Sequence, residues 1–261
     1  MWIDSHCHLD SPEFDIDRDA VVAQSCASGV EAIINLPGHV DHFARAKITR
    51  ERFGCLTGYG IHPMWVAGPY TTSNREDIAT LRTWVEREKP DLVGEIGLDY
   101  FIPEVNQVEQ EWFFSEQLKI ARDFDLAVSL HVRRSQDHIL KHLRRIKVRG
   151  GFAHAFNGSA QQAAEFVKLG FCLGFGGTAT FPQARRVRAL LREVPLDNVV
   201  IETDAPDIPP SFLGTMGSIA RNSPTYLPRI GEMLAEVRGL SVDVFAAATT
   251  ANVRRVLGAD N

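Results

Sequence analysis

Short apolar runs alternate with longer amphipathic stretches along almost the whole chain. Eight runs have the length and the β-branched or aromatic content of buried strands, and they span residues 2–6, 31–36, 56–61, 92–97, 126–131, 151–156, 171–176 and 198–203. Apolar residues at helical spacing occupy most of the intervening stretches, at 17–28, 40–52, 75–89, 106–124, 136–146, 160–169 and 183–193. Two further helical patterns follow the last strand, and Ser223 with Pro224 marks the start of the first.

This regular alternation predicts an α/β fold with a parallel sheet and helical crossovers. Eight repeats in 261 residues fit a (β/α)8 TIM-type barrel better than an open doubly wound sheet. No linker or shift in composition divides the chain. We therefore expect a single domain over residues 1–261, with a C-terminal extra helix.

Several histidines and carboxylates lie at or just beyond the carboxyl ends of the predicted strands. A buried parallel strand is expected to be almost wholly apolar, so these exceptions stand out. They are His6, His8, Glu95, His131, His154 and Asp204, with His62 just beyond the third strand. Barrel enzymes build their active sites at this face, from the ends of several strands.

The first strand ends in the triplet His6-Cys7-His8. Successive side chains of a strand point to opposite faces, so the two histidines share a face and Cys7 points away from them. This geometry favours a small core residue at Cys7 over a third ligand. Asp4 lies on the face of the histidines, either as a supporting partner or as a structural carboxylate.

A lone histidine at a strand end is more often a core residue than a ligand. A whole group of histidines and carboxylates at the same end of one barrel is harder to explain in that way. Four histidines and two carboxylates at one barrel mouth would be a costly desolvated cluster unless they bound a cation. Imidazole and carboxylate suit zinc, manganese or magnesium, and six ligands exceed the needs of one tetrahedral site. Two divalent metal ions, about 3.5–4 Å apart, would suit hydrolysis or phosphoryl transfer.

Composition narrows the function classes further. The formal net charge is −5, so the chain as a whole is not built to adhere to nucleic acid. Its local basic runs fit solvated helix faces, and they neither establish nor exclude a phosphate-bearing substrate. Four scattered cysteines suit a reducing compartment. The sequence shows no signal peptide or spanning segment, no strong P-loop, no G-x-S-x-G and no dinucleotide fingerprint. We expect a cytoplasmic enzyme with no membrane partner, and the sequence is compatible with a monomer.

Several motifs occur together and in order: DSHCHLD at the start, then GIHP, GEIGLDY, HAFNGS, IETDAP and ARNSPTYL, with TANVRRVLG in the last helix. In this combination, nearly end to end, the chain resembles the TatD family of metal-dependent deoxyribonucleases. That family belongs to the wider amidohydrolase-like barrel superfamily.

The resemblance implies a set of site residues and a substrate. The implied metal ligands are His6, His8, Glu95, His131, His154 and Asp204, with Glu95 bridging two ions. The implied activity is hydrolysis of DNA phosphodiester bonds, with single-stranded DNA or 3′ ends as substrate. His62, Arg133 and Asn222 would lie near the scissile phosphate or the nucleotide. Two departures, in HVRRSQDH and at Asn157, concern substrate contacts.

These residues suggest a mechanism. A water activated between the two ions would attack the phosphate, and Asp204 would be the general base. His62 and Arg133 would add hydrogen bonds to the phosphate. The sequence names no clear general acid for the leaving group.

Three other functions fit part of the pattern. The same barrel and ligands would serve a two-metal amidohydrolase that acts on a small amide, ester or lactone. A protein that only binds nucleic acid or stores metal would not need a pair of metal ions exposed to water. A structural zinc in a scaffold protein would give one closed tetrahedral site.

Overall fold

Eight strands pair in parallel in the order in which they occur along the chain, as the sequence predicts. The computed structural model describes residues 1–67, 70–102 and 104–258. The strands are β1 (Trp2–Cys7), β2 (Val30–Asn35), β3 (Leu56–Tyr59), β4 (Leu92–Asp99), β5 (Ala127–Arg133), β6 (Gly151–Ala153), β7 (Phe171–Phe175) and β8 (Val199–Ile201).

Helices follow the strands and cover the outside of this sheet. They are α1 (Arg18–Ala27), α2 (Phe43–Phe53), α3 (Pro63–Val66), α4 (Asp77–Glu88), α5 (Gln107–Asp123), α6 (Gln136–Arg145), α7 (Ala160–Lys168), α8 (Arg185–Glu193), α9 (Leu227–Arg238) and α10 (Val242–Leu257). In the described parts of the chain, no helix is long and apolar enough to cross a membrane.

The two ends of the sheet meet, which makes the sheet a barrel. The segment just after β8 hydrogen-bonds to the end of β1, from Asp204 N to His6 O (2.8 Å) and from His8 N to Ala205 O (2.8 Å). The predicted TIM-type barrel is therefore confirmed. This closure also places Asp204 beside His6 of β1 and His8 just after it, although nearly 200 residues separate them in the sequence.

Apolar side chains fill the barrel below its carboxyl end. One buried cluster combines residues from strands around the whole ring with two valines of α10: Ile3, Ile34, Leu36, Leu92, Ala127, Phe152, Cys172, Val200, Val253 and Val256. A larger cluster packs the outer faces of the strands against the helices. The polar site therefore rests on a solid apolar base.

Several predicted boundaries differ from those of the structure, and most differences have a local cause. The helix predicted at 40–52 is a 3₁₀ turn, Val40–His42, followed by α2. The third strand stops at Tyr59 because the backbone of Ile61 bonds to the side chain of Gln117 instead. The sixth strand ends early because Ala155 has a left-handed φ of 45°.

Strands β4 and β5 run beyond their predicted ends and pair as far as Asp99 and Arg133. Glu95 and His131 therefore lie within strands rather than at their last residues. Ser223 caps the 3₁₀ turn Pro224–Tyr226, which leads directly into α9, as its sequence predicts.

Candidate metal centre

The buried carboxylate of Glu95 is the centre of the polar cluster at the carboxyl end of the barrel. Glu95 is 1% exposed and lies on β4, where the pairing with β5 shifts register between Val93 and Ile96. Five imidazole nitrogens lie 2.9–3.6 Å from its oxygens, and they belong to His6, His8, His62, His131 and His154. Loops and strand ends from separate parts of the chain thus converge on one carboxylate.

Asp204 supplies the second carboxylate of the cluster. It directly follows β8, has a left-handed φ of 57° and is 7% exposed. Its Oδ1 lies 3.4 Å from His8 Nε2 and 3.5 Å from His6 Nε2. Since β8 and β1 are neighbours only when the barrel closes, this contact depends on the tertiary fold.

Three overlapping groups of side chains bring possible ligand atoms within 4.8 Å of one another. They are His6, Glu95 and His154; His6, His8 and Asp204; and His62, Glu95 and His131. Together the three groups contain seven side chains, which are more donors than one tetrahedral ion requires.

Hydrogen bonds on the far side of two rings fix which nitrogen faces the cluster. His8 donates from Nδ1 to the carbonyl of Leu36 (2.6 Å), and His131 donates from Nε2 to Asp99 (3.2 Å). A carbonyl or carboxylate only accepts, so in the neutral rings the opposite nitrogens carry free lone pairs. Those lone pairs point towards Glu95, the arrangement typical of metal-ligating histidines.

His62 has the opposite arrangement. Its Nδ1 accepts a hydrogen bond from the backbone of Met64 (3.2 Å) at the start of α3. A neutral ring then carries its proton on Nε2, which lies 3.0 Å from His131 Nδ1 and 3.4 Å from Glu95. His62 is therefore placed to donate a hydrogen bond into the site.

His154 tests whether the cluster fits a cation. Its ring stacks on that of His6, with centroids 3.9 Å apart, and its Nε2 lies 3.1 Å from Glu95. Its Nδ1 is buried without a hydrogen-bond partner among the described residues, since Glu202 is 3.7 Å away. A buried polar atom without a partner, beside a carboxylate and other imidazoles, fits a site for a divalent ion.

The electrostatics of the cluster favour positive charge. Burial by itself would raise the pKa of Glu95, but His62, His6 and His154 outweigh it and hold that pKa well below its usual value. Burial opposes charge on His8, yet Asp204 and Glu95 raise the pKa of His8 to about 10. The two carboxylates therefore attract cations, and protons compete with metal for the same imidazoles.

The site opens into a cavity of about 710 Å³ at the carboxyl end of the barrel. Most of the predicted site residues line it: His8, His62, Glu95, His131, Arg133, His154 and Asp204. His6 lies just beneath and is fully buried. The structure thus brings all six predicted ligands together, with His62 and Arg133 on the same cavity.

Asn222 lies outside the lining of the cavity that most of the predicted site residues share. Its side chain is fully buried, its amide donates to the carbonyls of Thr203 and Ile208, and its oxygen accepts from the backbone of Ser223. All its polar groups are thus used within the chain. Asn222 braces the loop that carries Asp204 and does not reach the substrate cavity in this conformation.

Two residues of the first strand, Cys7 and Asp4, contribute to the packing and hydrogen bonding of the barrel. Cys7 is fully buried in the outer core, away from the cluster. Asp4 accepts hydrogen bonds from the backbone (2.9 Å) and the hydroxyl (2.6 Å) of Thr203. Of the two roles open to Asp4, the structure favours a carboxylate that ties β1 to the segment before Asp204.

Two carboxylates beside the cluster are not among the predicted site residues. Asp99 orients His131, and Glu202 accepts from the backbone of Ala155 (2.5 Å) beside His154. A signal existed for both, because each lies an even number of residues from a predicted ligand, Asp99 four after Glu95 and Glu202 two before Asp204.

Comparisons with known proteins agree with this geometry. A model of the family described as TatD related DNase matches residues 3–258. The uncharacterized metal-dependent hydrolase YjjV of Escherichia coli is 37% identical over 255 residues, 96% of this chain and 95% of that protein. The 3'-5' ssDNA/RNA exonuclease TatD of Cronobacter sakazakii is 32% identical, with 95% of each chain covered.

A solved structure gives the same result. The crystal structure of the TatD homolog YjjV from Escherichia coli superposes with a TM-score of 0.90 at 36% identity, over 98% of this chain and 97% of that one. The identity, the coverage and the shared barrel all point to one family. The chain belongs to the TatD-related DNase family and is a metal-dependent hydrolase of that family.

Proposed function

We propose that the chain is an exonuclease that uses two divalent ions to hydrolyse phosphodiester bonds of single-stranded DNA from a 3′ end. The observation that carries the proposal is the position of Glu95, whose two oxygens face different sets of imidazoles. The relative from Cronobacter sakazakii is named for 3'-5' ssDNA/RNA exonuclease activity, which supports the substrate class.

We assign the ligands in two groups. His6, His8 and Asp204 would hold one ion, His131 and His154 the other, and Glu95 would contact both. When bound, such ions would supply Lewis-acid chemistry, since they polarise phosphate oxygens and favour ionisation of water. Zinc, manganese and magnesium are all candidates.

The protein's own groups carry the proton and position the phosphate. Asp204 faces the cavity and has a pKa that its neighbours hold low: burial would raise that pKa, but His154, His8 and His6 lower it. It is our candidate general base for the attacking water. The Nε2–H of His62 and the guanidinium of Arg133 would donate to the phosphate oxygens.

An oligonucleotide digest with defined ends tests the proposal. Single strands labelled at the 5′ end are incubated with the full chain in manganese, magnesium or zinc, and the products are resolved by length. We expect a ladder that shortens from the 3′ end, complete loss of activity after chelation and recovery when metal is restored.

Two results would contradict the proposal. Full activity in a rigorously metal-free preparation would remove the metal mechanism. Turnover of small amides, esters or lactones without cleavage of any oligonucleotide would favour the amidohydrolase alternative, which shares this barrel and ligand chemistry.

A further inference from the structure

Two consecutive arginines stack on one exposed aromatic ring, and one of them, Arg133, lines the cavity. The guanidinium carbons of Arg133 and Arg134 lie 3.9 Å and 4.6 Å from the centroid of Phe101. Successive residues of an extended strand point to opposite sides, so two neighbours do not ordinarily reach one ring. Arg134 directly follows β5 with a left-handed φ of 55°, and this turn brings its side chain back to Phe101.

The pair carries charge that the described residues do not neutralise. Arg134 is exposed and has no carboxylate within 4.0 Å in the described part of the chain, while Arg133 has only Asp99, at 3.7 Å. Two like charges on one ring repel each other, and a left-handed backbone at a non-glycine residue adds strain. A bound anion would offset both costs, and the ring keeps the guanidinium groups in place.

The opposite side of the mouth has the opposite charge. Asp10, Glu13 and Asp207, in the loops after β1 and β8, line the same cavity. Three arginines on this side are paired: Arg45, which also lines the cavity, and Arg18 contact Asp15, and Arg221 contacts Asp17. In a ring of eight sequential strands, β5 lies across from β1, so the mouth is polarised from an acidic to a basic side.

We propose that Arg134, with Arg133 on the Phe101 ring, binds backbone phosphates of a single-stranded nucleic acid outside the scissile bond. The uncleaved strand then leaves the cavity over the β5 side, because the acidic β1–β8 side repels it. This inference rests on the proposed function and adds the path of the strand. It also predicts that affinity depends on substrate length.

The test compares R134Q with R87Q as a matched control. Arg87 also stacks on an aromatic ring, 4.4 Å from the centroid of Trp84, but lies on α4 away from the cavity. For a single strand of about twelve nucleotides, R134Q should raise Kd about three- to tenfold and reduce the slope of log K against log salt by about 0.7. KM and kcat for a dinucleotide should stay at wild-type values, and R87Q should change none of these quantities.

A second arm locates the contact and separates this inference from the proposed function. Equilibrium binding of the twelve-nucleotide strand is measured with phosphorothioate linkages that slow cleavage, and one linkage at a time is replaced by an uncharged methylphosphonate. When the uncharged linkage is the one that contacts Arg134, the wild type and R134Q should bind the strand with equal affinity.

Three outcomes separate this inference from the proposed function. Equal effects of R134Q and R87Q, or equal losses on the dinucleotide, would overturn the inference even if the chain is a nuclease. Absence of cleavage with length-dependent, Arg134-dependent binding would overturn the proposed function alone, and tighter binding of an acidic peptide than of the strand would overturn the nucleic-acid assignment.

Discussion

The lack of a side chain at Gly174 leaves room for the carboxylate of Glu202, which lies beside the site. A Cβ at Gly174 would lie 2.1 Å from Oε2 of Glu202 and 2.6 Å from its carboxyl carbon. We expect Gly174→Ala to push Glu202 away from the backbone of Ala155 and to cost about 1–3 kcal/mol of unfolding free energy. Urea denaturation measures this cost.

The carboxylate of Glu202 provides the control for that change. In a Glu202→Ala background there is no carboxylate to displace, so Gly174→Ala should cost much less. An equal cost in both backgrounds would mean that another contact is responsible.

Asp204 is the residue whose chemistry the proposed mechanism needs most. Asp204→Asn keeps the size of the side chain but removes the base, so kcat should fall by about 10²–10⁴. The far-ultraviolet circular dichroism spectrum should match that of the wild type, because the exchange keeps the size of the side chain. Asp207→Asn is the matched control, since Asp207 lines the same cavity but belongs to none of the donor groups. A near-normal rate for Asp204→Asn would exclude it as the base.

Among the elements, α5 and α6 are joined through one carboxylate outside the metal centre. Glu111 of α5 contacts His138 (2.8 Å) and His142 (3.1 Å) of α6 and accepts from Tyr100 of the loop after β4 (3.1 Å). Burial would raise the pKa of Glu111, but its bonds to these three groups outweigh burial and lower the pKa to about 2.

This shift predicts a pH dependence of stability. Because the pKa in the folded chain lies below the usual value of 4.5, the ionised carboxylate stabilises the fold above pH 4.5. That contribution is lost as the pH falls from 4.5 towards 2. Urea midpoints of the wild type should therefore fall more steeply over this range than those of Glu111→Gln. Parallel curves for the two proteins would contradict the prediction.

For the whole molecule, cation binding should couple to folding. The buried carboxylates of Glu95 and Asp204 attract positive charge, and a ligand that binds only the folded state adds about 2.7 kcal/mol at one hundred times its Kd. Manganese should raise the Tm of the metal-free chain, as followed by calorimetry. Glu95→Gln should remove most of this rise, whereas an unchanged rise in that variant would place the stabilising ion elsewhere.

Residue order by itself determined the barrel and predicted which polar side chains would meet at the candidate metal centre. Eight apolar runs with helices between them have few other parallel arrangements, and in a barrel the carboxyl ends of all strands meet. For this reason His6, Glu95 and His154 could be grouped before their distances were known. The motifs indicated the family because they occur together and in order along nearly the whole chain.

Only the tertiary structure decided which groups support, orient or extend that cluster. Asp99 hydrogen-bonds to His131 of the neighbouring strand, and Glu202 lies 3.7 Å from His154 across β7. Strand spacing alone does not give the rotamers that set these distances. Asn222 is in the expected loop, but packing buries its amide. Arg134 faces Phe101 because of one left-handed φ. Arginine does not favour this conformation by itself, so the surrounding fold imposes it.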